Sequence, residues 1–388
     1  MPPRPIVILG PTASGKTELA AALAERFAGQ VLGADSMQVY RHMDVGTAKP
    51  PAALRRRVVH HLIDIVEPAE RFTLADWLER AEALIGQLQS ERKTPVVVGG
   101  TNLYLKALLE GMFSGPQLDA ELRARLERLD SAELHRRLNR VDSEAAGRIH
   151  PNDCKRMIRA LEVHHLTGQP ISQWQAQWEP PAPQPTATSE GSGPSGVGGP
   201  APQGSDPSGE GGSTPEGSDP SGNPSGIDGS THEGSDPSSA SSGRAGGTYR
   251  HNPILIGLHW PAVVLNKRIN QRVAAMFHPE KTDPHVLEQL NIPESLPDEV
   301  RRLREQGMLG VQSSEAIGYK QVIEFMDGRC GLDEAFERTK IATRRLAKNQ
   351  RTWLKRFRGV HWIDAAPRAG EQILGEACSI VSQCRIII

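Results

Sequence analysis

The chain has 388 residues, a length that accommodates two domains, and its 45 Lys and Arg nearly balance 46 Asp and Glu for a net charge of −1. The balance hides an asymmetry: residues 181–248 hold eight acidic residues and one basic one, so the remainder carries 44 basic against 38 acidic residues, or +6, which admits a polyanionic partner. Four scattered cysteines exclude a disulfide framework, no apolar run approaches the roughly 20 residues of a membrane span, and MPPRPIVILG runs straight into a strand with no signal peptide, so the expected setting is the cytoplasm, with no membrane partner.

In chain order, IVILG (6–10) reads as a short buried strand ended by glycine. A helix follows from about Gly15 to Ala28, with Leu19, Leu23 and Phe27 on one stripe and Gly29 expected as its C-cap. VLGAD (31–35) is a second strand. TLADWLERAEALIGQLQ (73–89) reads as a helix with a capping box between Thr73 and Asp76. PVVVGGTNLYLKALL (95–109) is a strand, a glycine turn and a helix. Residues 115–178 turn mainly helical and charged, as an insertion or second domain. ILIGLHW (254–260) and VHWID (360–364) return to strand. Alternating strands and helices predict an α/β fold with a parallel sheet covered on both faces, built from residues 1–114 and 250–388. Residues 179–249 differ in kind, being dominated by Pro, Gly, Ser, Thr, Asp and Glu, with GSDPS recurring irregularly at 204, 217 and 234. Such a composition buries too little apolar surface to offset its ordering entropy, so a disordered insertion is expected there.

GPTASGKT (10–17) fits the loop that cradles phosphates. Gly10 and Gly15 permit the tight path, and the amides between them, along Pro11, Thr12, Ala13 and Ser14, point inward as an anion nest. Lys16 adds a point charge, Thr17 can ligate Mg²⁺, and the following helix contributes its positive end. A strand before and a helix after give the required context for a diphosphate or triphosphate. A nucleotide-hydrolysing enzyme would also carry an acid at the end of a later apolar strand. VVVGGT instead ends in two glycines and Thr101. The strand-end acid is Asp35, which fits a water-mediated Mg²⁺ ligand, a general base or a plain N-cap; the residues alone leave these open.

RTKIATRRLAKNQRTWLKRFR (338–358) holds nine Lys or Arg and no acid, with Trp353 and Phe357 interleaved, a polyanion-binding composition. Trp353 can anchor this helix in the core while the cations face outward. ELRARLERLDSAELHRRLNR (121–140), with six basic and four acidic residues, reads rather as a solvated helical face. The pairs His60–His61 and His164–His165 point apart in any regular element and lack companions at ligand spacing, so no metal site is expected from them.

GPTASGKTELA, ADSMQVYRHMDVGTAKP (34–50), HHLIDIVEP (60–68), GGTNLYLKALLEG (99–111), RIHPNDCKRMIRALEV (148–163) and AIGYK (316–320) occur in one order. Together they closely resemble the tRNA dimethylallyltransferase, or isopentenyl-tRNA transferase, family over residues 1–178 and 250–365. The resemblance implies a P-loop NTPase-like core with a helical tRNA-binding insertion, acting as a monomer with Mg²⁺ and without ATP. Its loop would hold dimethylallyl diphosphate, and the prenyl group would pass to N6 of the adenosine 3′ of the anticodon, releasing diphosphate.

By the same resemblance, Lys16 and Thr17 stabilise the leaving group, Asp35 matches the general base and Thr101 a second polar residue nearby. Arg272 matches a diphosphate-binding arginine, with Arg268 as the alternative. Asp35, Ser36, Met37 and Gln38 would line the base pocket. Thr101, Arg123, the run Lys155, Arg156, Met157, Ile158 and Arg159, the run Glu315, Ala316, Ile317, Gly318, Tyr319 and Lys320, and Lys348, Arg351 and Lys355 would touch tRNA. Glu315 departs from the Gln or Arg that relatives commonly carry, and an acid there disfavours phosphate. The rivals are a P-loop small-molecule kinase, a prenyltransferase acting on free adenylate, and a non-catalytic RNA-binding module.

Overall fold

In the computed structural model, residues 2–112, 115–116, 119–176 and 249–386 are described. Most of the sequence predicted as an insertion at 179–249 therefore lies outside the described residues. Residues Met1–Pro180 and Gly246–Ile388 belong to one compact unit.

The first half of the core runs β1 (Ile6–Leu9), α1 (Lys16–Arg26), β2 (Gly29–Gly33), α2 (Ala52–Arg57), β3 (His60–His61), α3 (Leu74–Ser90), β4 (Thr94–Val98) and α4 (Asn102–Glu110). Five short helices follow: α5 (Ala120–Glu127), α6 (Ser131–Val141), α7 (Ser143–Arg148), α8 (Cys154–Thr167) and α9 (Ile171–Ala176). The chain then returns as β5 (Ile254–His259), α10 (Ala262–Phe277), α11 (Pro284–Leu290), α12 (Leu296–Glu305), α13 (Val311–Ser314), α14 (Tyr319–Met326), α15 (Leu332–Leu354), β6 (Val360–Asp364) and α16 (Gly370–Ile386). The six strands form one all-parallel sheet in the order β3-β2-β4-β1-β5-β6. β1 and β4 are buried throughout, as β-branched strands covered on both faces should be. No described helix is long and apolar enough to cross a membrane.

Local signals account for several of these elements. Thr73 and Asp76 close the expected capping box on α3. Gly29, expected as the C-cap of α1, is instead the first residue of β2, paired with Thr94. Its backbone lies against Thr94 too closely for any Cβ, and the positive φ at the helix end falls on Ala28 (φ 50). The histidine pair 60–61 is an edge strand, with the His60 ring bonded to the Val58 carbonyl and the His61 ring to Gln30. The helices from α5 to α9 bury their own cluster, including Leu122, Leu134, Leu138, Met157 and Val163, separate from the core around the sheet.

Register places the site. Ile8 pairs with both Val98 and Ile256, and Gly33 pairs with Val98. Because all strands run in parallel, the segments that follow β1, β2 and β4 leave from the same edge. These are the 10–17 loop, Asp35, and Gly99–Thr101, the crevice where α/β sheets hold ligands.

Candidate active site

The 10–17 loop has Ala13 (φ 64) and Gly15 (φ 85) in the left-handed region, the backbone shape that gathers successive amides into an anion nest. Its carbonyls are fastened from outside: Trp260 Nε1 donates to Ser14 O (3.0 Å) and Arg268 Nε to Ala13 O (2.9 Å). The Arg268 guanidinium also stacks 4.6 Å over the Trp260 ring. Arg268 therefore serves the loop backbone. Arg272, one turn on, donates from Nη2 to Thr12 Oγ1 (2.7 Å), and its Nε is buried with no partner.

Lys16 is buried and donates only to Pro11 O, at 2.7 Å. Burial pulls its pKa down to about 8, with Asp35 opposing and Arg272 adding to the fall. Burial likewise lowers Arg272 to about 10, again opposed by Asp35. Among the described residues neither cation has a carboxylate within ion-pair distance, so no ion pair of the described residues neutralises the two charges beside the loop.

Asp35 sits immediately past β2. Its Oδ1 accepts from the amides of Met37 (3.0 Å) and Gln38 (3.4 Å), and its Oδ2 lies toward Gly100. Thr101 fixes this turn, its Oγ1 accepting from Ser36 N at 2.9 Å and donating to Ser36 Oγ at 3.3 Å. The Gln38 side-chain amide donates to the carbonyls of Thr47 and Ala48, both at 3.1 Å.

Gln350, from the basic helix α15, packs between the phosphate loop and the glycine turn that follows β4. It is only 4% exposed. Its Oε1 accepts from Thr12 N (2.8 Å) and its Nε2 donates to Gly100 O (2.7 Å). Gly100 is what admits it, since a Cβ there would stand 2.7 Å from Gln350 Nε2, while Gly99 lets this turn pass the Ala34 backbone, which its Cβ would strike.

Two cavities meet here. One, of about 700 Å³, is lined by the phosphate loop, Gln38 and α10. The other, of about 1040 Å³, is lined by Ser36, Met37, Thr101, α15 and helices of the inserted segment. Thr12, Asp35, Thr47, Gly100, Arg272 and Gln350 line both.

The predicted nucleic-acid contacts divide. Arg156, Arg159, Glu315, Ala316 and Ile317 line the larger cavity. Lys155, Lys348 and Lys355 are exposed and Arg351 half-buried, all outside both cavities. Met157 (0%) and Ile158 (5%) are buried in the helical cluster, and Gly318 and Tyr319 are buried too, so these positions support exposed neighbours. Arg123 and Arg159 lie 4.0 and 2.7 Å from the fully buried Glu162, which ties Arg123 of α5 to α8 and Arg159 within α8. Glu315 is paired with Lys320 at 2.9 Å, which offsets its charge. Trp353 is half-buried on the larger cavity with Arg356 over its ring at 5.0 Å. Leu354 and Phe357 anchor the helix end in its place, because the buried stripe of α15 runs through Ala347, Gln350 and Leu354. Sequence reasoning missed Gln350, Trp260 and Thr47. Gln350 is the uncharged residue at the end of LAKNQ within the basic run, and only its inward phase would have marked it.

The model described as IPP transferase matches residues 38–190 and 230–357, and the one described as isopentenyl transferase matches residues 4–60. The chain is 34% identical over 364 residues to the tRNA dimethylallyltransferase of Geobacillus thermodenitrificans, covering 92% of this chain and 90% of that protein. It is 36% identical to tRNA dimethylallyltransferase 2 of Geotalea uraniireducens, with 92% and 91% covered. Among solved structures, a full-length tRNA isopentenylpyrophosphate transferase of Bacillus halodurans matches with a TM-score of 0.58 at 30% identity, covering 99% of this chain and 98% of that one. A eukaryotic dimethylallyltransferase acting on tRNA shares the fold, with a TM-score of 0.65 at 22% identity over 98% of this chain and 80% of that one. The chain belongs to the IPP transferase family.

Proposed function

We propose that this chain transfers a dimethylallyl group from dimethylallyl diphosphate to N6 of the adenosine 3′ of the anticodon in tRNA, releasing diphosphate. The observation that carries this is the pair of desolvated cations, buried Lys16 and half-buried Arg272, set beside the phosphate loop with no carboxylate of the described residues within ion-pair distance. That anion site opens across Asp35 onto a second cavity bordered by a basic helix. The relatives are named for this transfer, and a kinase is disfavoured because VVVGGT ends without an acid.

The chemistry follows from the geometry. The amine of a flipped-out adenine enters from the larger cavity and attacks C1 of the allylic group as the C1–O bond breaks. The bridging electrons leave with the diphosphate. Loop amides, Lys16 and Arg272 meet that charge where it develops. Asp35, with Oδ1 held by two amides, takes the amine proton on its other oxygen, and Thr101 keeps the Asp35–Ser36 turn in place. Thr17 lines the loop-side cavity, and its hydroxyl suits Mg²⁺, which takes few protein oxygens and fills its shell from phosphate and water. Bound there, Mg²⁺ would neutralise charge on the leaving diphosphate. Residues 1–114 and 250–388 would form the catalytic core and 115–178 the tRNA-gripping part of a cytoplasmic monomer.

The test is direct. Purified protein is incubated with unmodified tRNA, Mg²⁺ and labelled dimethylallyl diphosphate, with ATP and AMP competing. Label in tRNA is the expected result; label only in AMP, or ATP turnover without transfer, rejects the proposal.

A further inference from the structure

Glu299 on α12 is a carboxylate of 1% exposure with no ion-pair partner among the described residues. Four donors converge on it: the backbone amides of Asp44 (2.9 Å), Val45 (2.9 Å) and Gly46 (3.3 Å), and the Tyr319 hydroxyl (2.5 Å). A buried charge is tolerated only when its lone pairs are met in this way. Gly46 has no room for a side chain, because a Cβ would run into the Tyr319 ring. The 44–46 turn is thus clamped between Glu299 and Tyr319.

The next two residues continue the chain of contacts. Thr47 Oγ1 donates to Met43 O (2.5 Å) and Ala48 N to Val45 O (3.0 Å), so the turn holds its own carbonyls in place. The carbonyls of Thr47 and Ala48 accept both hydrogens of the Gln38 side-chain amide. A flipped amide would set Oε1 against two carbonyl oxygens, so the orientation is dictated by the turn. No donor among the described residues reaches Oε1, and Gln38 lines the loop-side cavity beside Asp35.

We propose that Glu299 is a positioning residue for the acceptor nucleobase: through the 44–46 turn it orients Gln38 so that the site presents a hydrogen-bond acceptor. Resting on the proposed prenyl transfer, this acceptor meets an exocyclic amine and repels a keto oxygen at the same place. Glu299 touches no substrate itself.

Two conservative variants test it. Glu299→Gln keeps the shape and leaves one oxygen for the Asp44 and Val45 amides, but its N–H₂ group faces the Gly46 amide, which can only donate, and forces the Tyr319 hydroxyl to accept. Tyr319→Phe removes one donor from the carboxylate. The Gln38 amide resonances, identified in ¹⁵N spectra by their loss in Gln38→Glu, should lose about tenfold of their exchange protection in Glu299→Gln and less in Tyr319→Phe. In Glu299→Gln, kcat/KM on an anticodon stem-loop should fall about tenfold while inorganic pyrophosphate binds within about twofold of wild type. Unchanged Gln38 resonances in folded variants would overturn the proposal. So would a parallel fall in pyrophosphate affinity, which would make Glu299 a general structural residue. If Glu299→Gln does not fold, Tyr319→Phe decides. If wild-type protein does not prenylate the stem-loop, the transfer reading fails, while the Gln38 resonances still decide the link to Glu299.

Discussion

Lys16 is the residue whose burden is easiest to measure. Free, it releases its proton near pH 8 because its site is desolvated. A bound diphosphate places negative charge against it and raises that value. Binding therefore has its full strength below about pH 8 and weakens as pH rises above it, by up to about tenfold per unit, with proton uptake in that window. Calorimetric titration of pyrophosphate in buffers of different ionisation enthalpy should show this uptake at pH 8.5, and Lys16→Met should remove it. Uptake that persists in the variant would assign the proton elsewhere. Asp35 makes the complementary prediction. With Oδ1 engaged by the 37 and 38 amides, Asp35→Asn should keep the turn, bind stem-loop and pyrophosphate normally, and lose about 10²–10⁴-fold in kcat, the range of general-base catalysis. Transfer near the wild-type rate would remove Asp35 from that role.

Among the elements, α15 joins two tasks. Its exposed side carries the cations read from the sequence, and its buried stripe carries Gln350 to the phosphate loop. Gln350→Met keeps the volume but frees Thr12 N and Gly100 O. It should lower stability by about 1–3 kcal/mol, the cost of unpaired buried groups, and weaken pyrophosphate binding as the loop loses its brace, while the helix still binds stem-loop. A stem-loop affinity that falls just as far would make Gln350 a plain packing residue. The contrast with what was legible beforehand is physical. β1, β4, the capping box of α3 and the 10–17 loop rest on neighbours within a few residues, so periodicity and spacing revealed them. Gln350 meets Thr12 and Gly100 across about 250 and more positions, and Glu299 meets residues 44–46 at similar range. No local pattern encodes such contacts. β3, with two residues, was too short to carry a period, and Trp353 was misassigned by one helical step because composition does not fix phase.

At the scale of the whole molecule, the two cavities divide the electrostatics. Lys16 is buried and Arg272 half-buried in the wall of the loop-side cavity, whereas Lys348 and Lys355 are exposed and line neither cavity. Screening should then separate the two ligands. Each phosphate neutralised on a single-stranded or looped RNA contributes about −0.7 to the slope of log K against log salt. Lys348→Ala combined with Lys355→Ala should make that slope for an anticodon stem-loop shallower by about 1.4 if both meet phosphates. Pyrophosphate affinity in the same protein should stay within about twofold of wild type, because the removed charges are solvent-exposed, line neither cavity and are screened by salt. A slope that does not change would place the RNA backbone on the arginines around the larger cavity, Arg156, Arg159 and Arg356, and leave the outer face of α15 merely solvated.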